Sequence, residues 1–280
     1  SFEDSLLGIV ILLVIMNYFQ IKILVNLGKP KCLNTEMKYS QDKSVVFNSE
    51  NHTYLKNGKY LTSVTSLIAK FKNEFDSDYW SKKTALRDNK SQEQVLKEWS
   101  DKAKKSCEIG TAIHKIFEDY VDKKYSVVNE NLTFDFLELE NSYYEDFTHK
   151  KNTAIRFIQD FFIKERLIPM FTEYIVYNNF IAGQVDCICK NKQGEIFIID
   201  FKTNDKIETN SYGKNLKGYL KDIPDASFYH YSLQLSIYKK LFKEEVKGLY
   251  LIHITKEKYN LIECIDIFKE YDLTLDNLIS

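Results

Sequence analysis

Proline and glycine are scarce in this sequence, with 3 and 9 residues in a chain of 280. This scarcity leaves no Pro/Gly-rich linker, and the sequence has no internal repeat or low-complexity tract. Hydrophobic residues make up 44% of the chain, which is ample for a sizeable core. A single domain is therefore the simplest organisation for the bulk of the chain.

An excess of either charge is also missing, because 39 basic residues face 40 acidic ones and give a formal net charge of -1. Bulk charge therefore does not attract nucleic acid, and any such partner would have to be held by local patches. One candidate patch surrounds Trp80 and Trp99. Its basic residues are Lys82, Lys83, Arg87, Lys90, Lys97, Lys102, Lys104 and Lys105. Acidic residues are interspersed there, which favours a solvated helical face over a DNA contact.

Cysteine is infrequent, and the five residues Cys32, Cys107, Cys187, Cys189 and Cys264 lack the spacing of a disulfide framework. An odd number of cysteines favours a reducing, intracellular compartment.

One long hydrophobic run is present, at the N-terminus. Residues 5–25 are mostly Leu, Ile and Val, with Lys22 as their one charged residue, and they meet the lower length limit for a membrane helix. Acidic residues precede the run and lysines follow it, so a membrane anchor would leave the rest of the protein on the cytoplasmic side. A targeting segment, including an organellar one, and a helix docked on the domain or on a partner are the alternatives. The chain thus divides into a hydrophobic segment at 1–30 and a domain at 31–280.

The most informative feature is a predicted β-hairpin within residues 183–201. Two segments rich in Ile, Val, Cys and Phe flank the turn-like residues 191–194. A turn centred near Gln193 places Asp186 opposite Asp200, with Cβ atoms roughly 4.5 to 5.5 Å apart. Two carboxylates that close repel each other unless a cation lies between them, which favours an oxygen-liganded metal such as Mg²⁺ or Mn²⁺. Lys202 lies on the same strand face as Asp200 and reaches the same substrate.

The order of elements predicts an α/β fold with a central mixed sheet and helices on both faces. Asn57 and Gly58 predict an early hairpin, and Ser63 predicts the cap of a helix that extends to Phe71. Helices follow to about residue 167, and the strands that carry Asp186 and Asp200 come next. A helix containing Gln234 and two strands, near 248–254 and 259–266, complete the chain. The continuous apolar run 196–199 indicates a strand that is covered on both faces.

Five motifs, in this order along the chain, resemble the PD-(D/E)xK nuclease superfamily, and specifically its RecB-like exonuclease branch. That branch includes the mitochondrial genome maintenance exonuclease and phage and viral recombination nucleases. The motifs are GTAIH with His114, TEYIVY with Glu173, AGQVD with Asp186, IIDFKT with Asp200 and Lys202, and QLSIY with Gln234 and Tyr238. The resemblance covers most of the chain and implies a restriction-endonuclease-like core.

The resemblance also implies roles for individual residues. The implied metal ligands are His114, Asp186, Asp200 and the Phe201 carbonyl, and the implied catalytic residues are Lys202, Asp200, Asp186 and Glu173. The implied substrate-binding residues are Gln234, Tyr238 and Thr203. The cofactor would be Mg²⁺ or Mn²⁺, and Lys202 would orient or deprotonate the attacking water. Some relatives carry an iron-sulfur cluster on four cysteines, one upstream and three beyond the Gln helix, whereas Cys264 alone follows that helix here, so no cluster is expected.

Each of these residues has a plainer alternative. A lone helical histidine such as His114 is commonly a packed or surface residue, and Glu173 at the start of a strand acts on a metal either directly or through water. Gln234 and Tyr238 share a helix face, which a half-buried Tyr beside a solvent-facing Gln also explains. The remaining histidines, of which His230 is the least certain, fit no ligand spacing and are interpreted as structural.

The expected function is that of a metal-dependent DNA exonuclease, which acts on DNA ends or single strands in replication, repair or recombination. A structure-specific endonuclease would use the same residues, and an inactive DNA-binding or tethering module is the alternative that is not an enzyme. The oligomeric state is left open.

Overall fold

The computed structural model describes residues 37–49, 51–122, 139 and 141–279, which form a mixed sheet of nine strands with helices on both faces. The α/β fold predicted from the sequence is confirmed. The hydrophobic run at 5–25 and Cys32 lie outside the described residues. Within the described part of the chain, no helix combines the length and the apolar character that crossing a membrane requires.

The strands and helices are numbered along the described chain. The strands are β1 (Met37–Tyr39), β2 (Val45–Asn48), β3 (Thr53–Lys56), β4 (Lys59–Ser63), β5 (Ile168–Tyr177), β6 (Ile181–Lys190), β7 (Ile196–Lys202), β8 (Val246–Ile254) and β9 (Tyr259–Glu263). The α-helices are α1 (Val64–Ala69), α2 (Ser77–Asp88), α3 (Gln92–Asp122), α4 (Tyr144–Phe157), α5 (Ser227–Leu241), α6 (Ile267–Glu270) and α7 (Asp276–Ile279). Helix α4 continues into a π-helical segment, Ile158–Lys164, and short 3-10 turns lie at Asn141–Tyr143 and Gly218–Leu220.

The early hairpin forms where the sequence predicts it. Asn57 and Gly58 have φ values of 48° and 76°, in the left-handed region that a tight two-residue hairpin turn requires. Ser63 caps α1, because its hydroxyl accepts a hydrogen bond from the Ser66 amide at 3.0 Å. The helix ends at Ala69, slightly before the predicted end at Phe71.

Strand β6 is the centre of the sheet. Strand β5 runs antiparallel along one edge of β6, and the other edge is shared by two strands. Strand β7 pairs with residues 187–190 of β6, and β4 pairs in parallel with residues 181–182. Residues 183–186 of β6 lie between these two pairings and pair with neither β4 nor β7 along this edge. Strand β7 therefore separates from β6 just beyond the Cys187–Ile199 pair. The sheet therefore opens beside Asp186 and Asp200.

Two apolar layers cover the two faces of the sheet. One layer packs against α5, where Leu233 and Leu235 contact a cluster that includes Ile198. The other packs against α3 and α4 and includes Ile199 and Phe201. Successive residues of β7 thus enter opposite layers, as the apolar run predicts for a strand covered on both faces. Phe201 stacks on Phe117 of α3 with ring centroids 3.6 Å apart, which fixes α3 against the end of β7.

Candidate active site

Asp200 and Lys202 lie at the end of β7, where the buried strand leaves the sheet. Asp200 is buried, and its Oδ2 atom forms an ion pair with Lys202 Nζ at 2.5 Å. The angles of this contact do not meet hydrogen-bond geometry, and Oδ2 has no other hydrogen-bond partner among the described residues. Burial opposes the charge of Lys202, but the carboxylates of Asp200 and Asp186 outweigh it and raise the pKa of Lys202 above its ordinary value. The pair keeps a charged ammonium and a carboxylate in a largely dry place, at the cost of leaving acceptor capacity on Asp200 unused.

Asp186 lies across from Asp200, as the predicted hairpin requires. The Cys187–Ile199 pair fixes the register, and one step further along each strand brings positions 186 and 200 opposite each other. Asp186 Oδ2 accepts a hydrogen bond from the Phe201 amide at 2.8 Å, which satisfies a backbone donor where the strands separate. Burial, reinforced by the charge of Asp200, raises the pKa of Asp186 to about 8. With that pKa, Asp186 is largely protonated at neutral pH in the metal-free protein.

His114 extends from α3 to the same opening. Its Nε2 atom lies 2.9 Å from the Phe201 carbonyl oxygen, and its Nδ1 atom lies 3.4 Å from Asp186 Oδ2. In the tautomer with hydrogen on Nε2, the ring donates to the Phe201 carbonyl and turns the Nδ1 lone pair toward Asp186. Burial and the charge of Lys202 lower the pKa of His114. A neutral imidazole is the state that binds metal ions.

Thr203 connects this helix to the strand end. A Cβ at position 110, one turn before His114, would lie 3.2 Å from Thr203 Oγ1, so the glycine there allows α3 to approach closely. Lys150 of α4 donates to the Thr203 carbonyl at 2.5 Å, and His253 Nε2 lies 2.6 Å from the Asn204 carbonyl oxygen. The chain that follows Lys202 is thus held by hydrogen bonds from α4 and β8 and lies close to α3.

Glu173 enters the opening from β5. Its neighbours Thr172 and Tyr174 pair with Cys187 and Val185, so Glu173 lies opposite Asp186. Its φ of 51° is left-handed, which costs a non-glycine residue roughly 1 to 2 kcal/mol. One ligand atom from each of His114, Glu173 and Asp186 lies within 4.8 Å of the other two. Strain of this kind commonly accompanies side chains that are aimed into functional sites.

Helix α5 presents a polar stripe to the opening. Gln234 Nε2 donates to the Tyr238 hydroxyl at 2.9 Å, and the Tyr238 ring is buried against β6. A Cβ at Gly183 would overlap Tyr238 Cε1, so the glycine allows that ring to lie on the strand. Tyr231, two turns before Tyr238, has its ring centroid 4.7 Å from Lys202 Nζ. The sequence analysis missed Tyr231, although its helical spacing from Gln234 and Tyr238 is a signal that was present.

The other candidate residues have local partners. His230 Nε2 lies 2.6 Å from Asp225 Oδ1, which is consistent with a structural role. In the basic segment, Lys82 pairs with Asp78 at 2.7 Å and Lys90 with Glu98 at 2.7 Å. Other lysines pair with carboxylates outside the segment, at Asp146 and Asp205. These ion pairs agree with the solvated helical face that the sequence favours.

The donors at the opening fit a divalent cation. His114, Glu173 and Asp186 each offer one ligand atom, a nitrogen or a carboxylate oxygen, and these atoms lie within 4.8 Å of one another. The Phe201 carbonyl oxygen lies 2.9 Å from His114 Nε2, and Asp200 is paired with Lys202 at 2.5 Å. Hard cations prefer oxygen donors of this kind.

Comparison with known proteins places the chain in a family. The model of a PDDEXK-like domain of unknown function (DUF3799) matches residues 80–277, a range that contains all five motifs. No curated protein matches the chain. A solved structure titled "Crystal structure of SSO0001" is 16% identical and aligns over 62% of this chain and 73% of its own, but its TM-score of 0.25 is too low to support a conclusion. Because the family model spans well over half of the sequence, the chain belongs to this family of PDDEXK-like domains.

Proposed function

We propose that this protein is a metal-dependent DNA exonuclease of the RecB-like branch, which hydrolyses phosphodiester bonds and acts on DNA ends or single strands. The observation that carries the proposal is the meeting of His114, Asp186, Asp200 and Lys202 where β6 and β7 separate. Membership of the PDDEXK-like family supports a nuclease-type function. Replication, repair and recombination are the processes that supply such DNA.

Asp186, Asp200, His114 and the Phe201 carbonyl would hold Mg²⁺ or Mn²⁺, with Glu173 acting directly or through water. When bound, the cation stabilises the charge that develops on the phosphate and on the departing 3′ oxygen. The raised pKa of Asp186 supports this assignment, because burial and then the charge of Asp200 disfavour its ionised form, and a bound cation would offset both effects.

Lys202, held as a charged ammonium, would orient the attacking water and offset the charge of the phosphate; deprotonation of that water by Lys202 would need the neutral amine, which its raised pKa disfavours. Its Nζ lies beside Asp200, so the same strand end supplies both the acidic and the basic group. A fixed ammonium in a largely buried place stabilises developing negative charge more strongly than a solvated one does.

Gln234, Tyr238 and Thr203 would bind substrate at the rim, with Tyr238 acting through Gln234. The bond from Gln234 to Tyr238 uses one amide hydrogen and leaves the amide oxygen and a second hydrogen for a sugar or phosphate. Tyr238 orients this amide, and Thr203 offers a hydroxyl beside Lys202. These contacts recognise the DNA backbone rather than a base sequence.

Digestion of end-labelled linear DNA and of closed circular DNA, with Mg²⁺ or Mn²⁺, tests the proposal. We expect wild-type protein to degrade linear single- or double-stranded DNA, to leave closed circles intact, and to lose activity on replacement Asp200→Asn. Cleavage of closed circles would instead support the structure-specific endonuclease. Binding of DNA without hydrolysis of any substrate would support the inactive binding module.

A further inference from the structure

Lys202 has an aromatic neighbour in addition to its acidic one. The Tyr231 ring centroid lies 4.7 Å from Lys202 Nζ, inside the distance of about 6 Å over which a cation is attracted to a ring face. The Lys202 side chain is 19% exposed, so water screens this attraction only weakly. The ammonium is therefore held between the Asp200 carboxylate and the Tyr231 ring.

The two contacts are not equivalent. Asp200 Oδ2, the atom 2.5 Å from Lys202 Nζ, belongs to a carboxylate that the proposed function assigns to the metal. An ammonium held by that carboxylate alone would lose its partner whenever the carboxylate serves another cation. The ring of Tyr231 is neutral and binds the ammonium through its quadrupole, so this contact does not depend on the charge state of Asp200.

Tyr231 is itself well placed to serve as a support. It lies on α5, on the same helical stripe as Gln234 and Tyr238, and its ring packs partly into the apolar layer beneath that helix. Side chains that are locked by packing position their neighbours more accurately than side chains on loops do. Tyr238 in turn lies on β6 at Gly183, so the stripe is fixed to the strand that carries Asp186.

We propose that Tyr231 is a positioning residue for the proposed reaction, and that its ring holds the Lys202 ammonium in place independently of Asp200. The proposal rests on the nuclease function inferred above. It assigns Tyr231 to the orientation of Lys202 rather than to substrate binding, so loss of the ring should lower kcat and leave KM for DNA unchanged.

Three variants at position 231 separate the effect of the aromatic ring on Lys202 from its effect on packing, and a fourth variant, at position 202, serves as a reference. Tyr231→Phe retains the ring and removes only the hydroxyl, so we expect kcat within about twofold of wild type. Tyr231→Leu removes the ring, and we expect kcat to fall about tenfold. Because this variant also alters the core, position 231 is in addition filled with 3,4,5-trifluorophenylalanine, which keeps the shape of phenylalanine and weakens the quadrupole. We expect it to be about threefold slower than Tyr231→Phe. The fourth variant, Lys202→Ala, identifies the Lys202 signal in the measurement that follows.

A second readout does not require activity. In metal-free protein with ¹³C-labelled lysine, the Lys202 side-chain signal is assigned by its absence from Lys202→Ala. We expect a ring-current shift in wild type and in Tyr231→Phe, and its loss in Tyr231→Leu. Absence of the shift in wild type would overturn the contact. Equal kcat for the phenylalanine and trifluorophenylalanine proteins would overturn the positioning role. A wild-type protein that shows the shift but hydrolyses no DNA would instead refute the nuclease function.

Discussion

Replacing Asp186 by asparagine removes a carboxyl group whose ionised form is disfavoured by burial and by the charge of Asp200. Asparagine has the same shape, and its Oδ1 atom can still accept the Phe201 amide hydrogen that Asp186 Oδ2 accepts at 2.8 Å. The Asp186 side chain is 15% exposed, so solvent screens it little. The substitution therefore isolates the charge while it preserves the packing.

The magnitude follows from the raised pKa. The pKa of Asp186 is about 8 in the folded protein, against an ordinary value of 3.8. A carboxyl group with a raised folded pKa contributes its full stability below the unfolded pKa and loses that contribution as the pH rises toward the folded pKa. In metal-free protein the loss is about 1.4 kcal/mol per pH unit, and it reaches about 4 kcal/mol at pH 7. Asparagine does not ionise and escapes this loss.

Denaturant unfolding of chelator-treated protein between pH 4 and pH 8 measures the effect. We expect Asp186→Asn to match wild type near pH 4 and to become progressively more stable than wild type as the pH rises. The exposed Asp222 offers a matched control, since Asp222→Asn should give no such trend. Mn²⁺ should then stabilise wild type, by about 2.7 kcal/mol at a hundredfold excess over Kd, and not the variant. A difference that does not change with pH would refute the reasoning.

Two further substitutions test the backbone around the site. Gly183→Ala should destabilise the fold by about 1 to 3 kcal/mol in denaturant unfolding, because its Cβ overlaps the buried Tyr238 ring; an unchanged midpoint would show that the ring moves freely. Glu173→Gly should be about 1 kcal/mol more stable than Glu173→Ala, because glycine tolerates the left-handed φ of 51° and alanine does not. Both Glu173 variants should bind Mn²⁺ more weakly by calorimetry. Equal stabilities of Glu173→Gly and Glu173→Ala would argue against backbone strain.

The parts of the fold that depend on short-range pattern were predictable. The turn at 191–194 and the strands beside it fix which positions face each other, so Asp186 and Asp200 could be paired from the sequence alone. Asn57 with Gly58 and the cap at Ser63 are equally local signals. Element ends shifted by two or three residues, as where the last strand ends at Glu263 rather than near 266, because they depend on neighbouring elements rather than on propensity.

The parts that depend on tertiary contacts were not predictable. The sequence does not reveal that β4 and β7 share an edge of β6, which is what opens the sheet beside Asp186. The left-handed backbone at Glu173 has no sequence signal, because nothing distinguishes that residue from an ordinary strand glutamate. The approach of Tyr231 to Lys202 depends on how α5 packs on the sheet. Helix spacing alone shows that Tyr231, Gln234 and Tyr238 share one face of α5, but it does not show which residues that face contacts.

Hydrolysis of end-labelled linear DNA by wild type and by Lys202→Ala, with DNA binding measured in the same samples, tests the nuclease assignment most directly. The account predicts that wild type degrades the DNA only when Mg²⁺ or Mn²⁺ is present. It also predicts that Lys202→Ala remains folded and binds DNA but does not cleave it. Undiminished metal-dependent cleavage by Lys202→Ala would contradict the account.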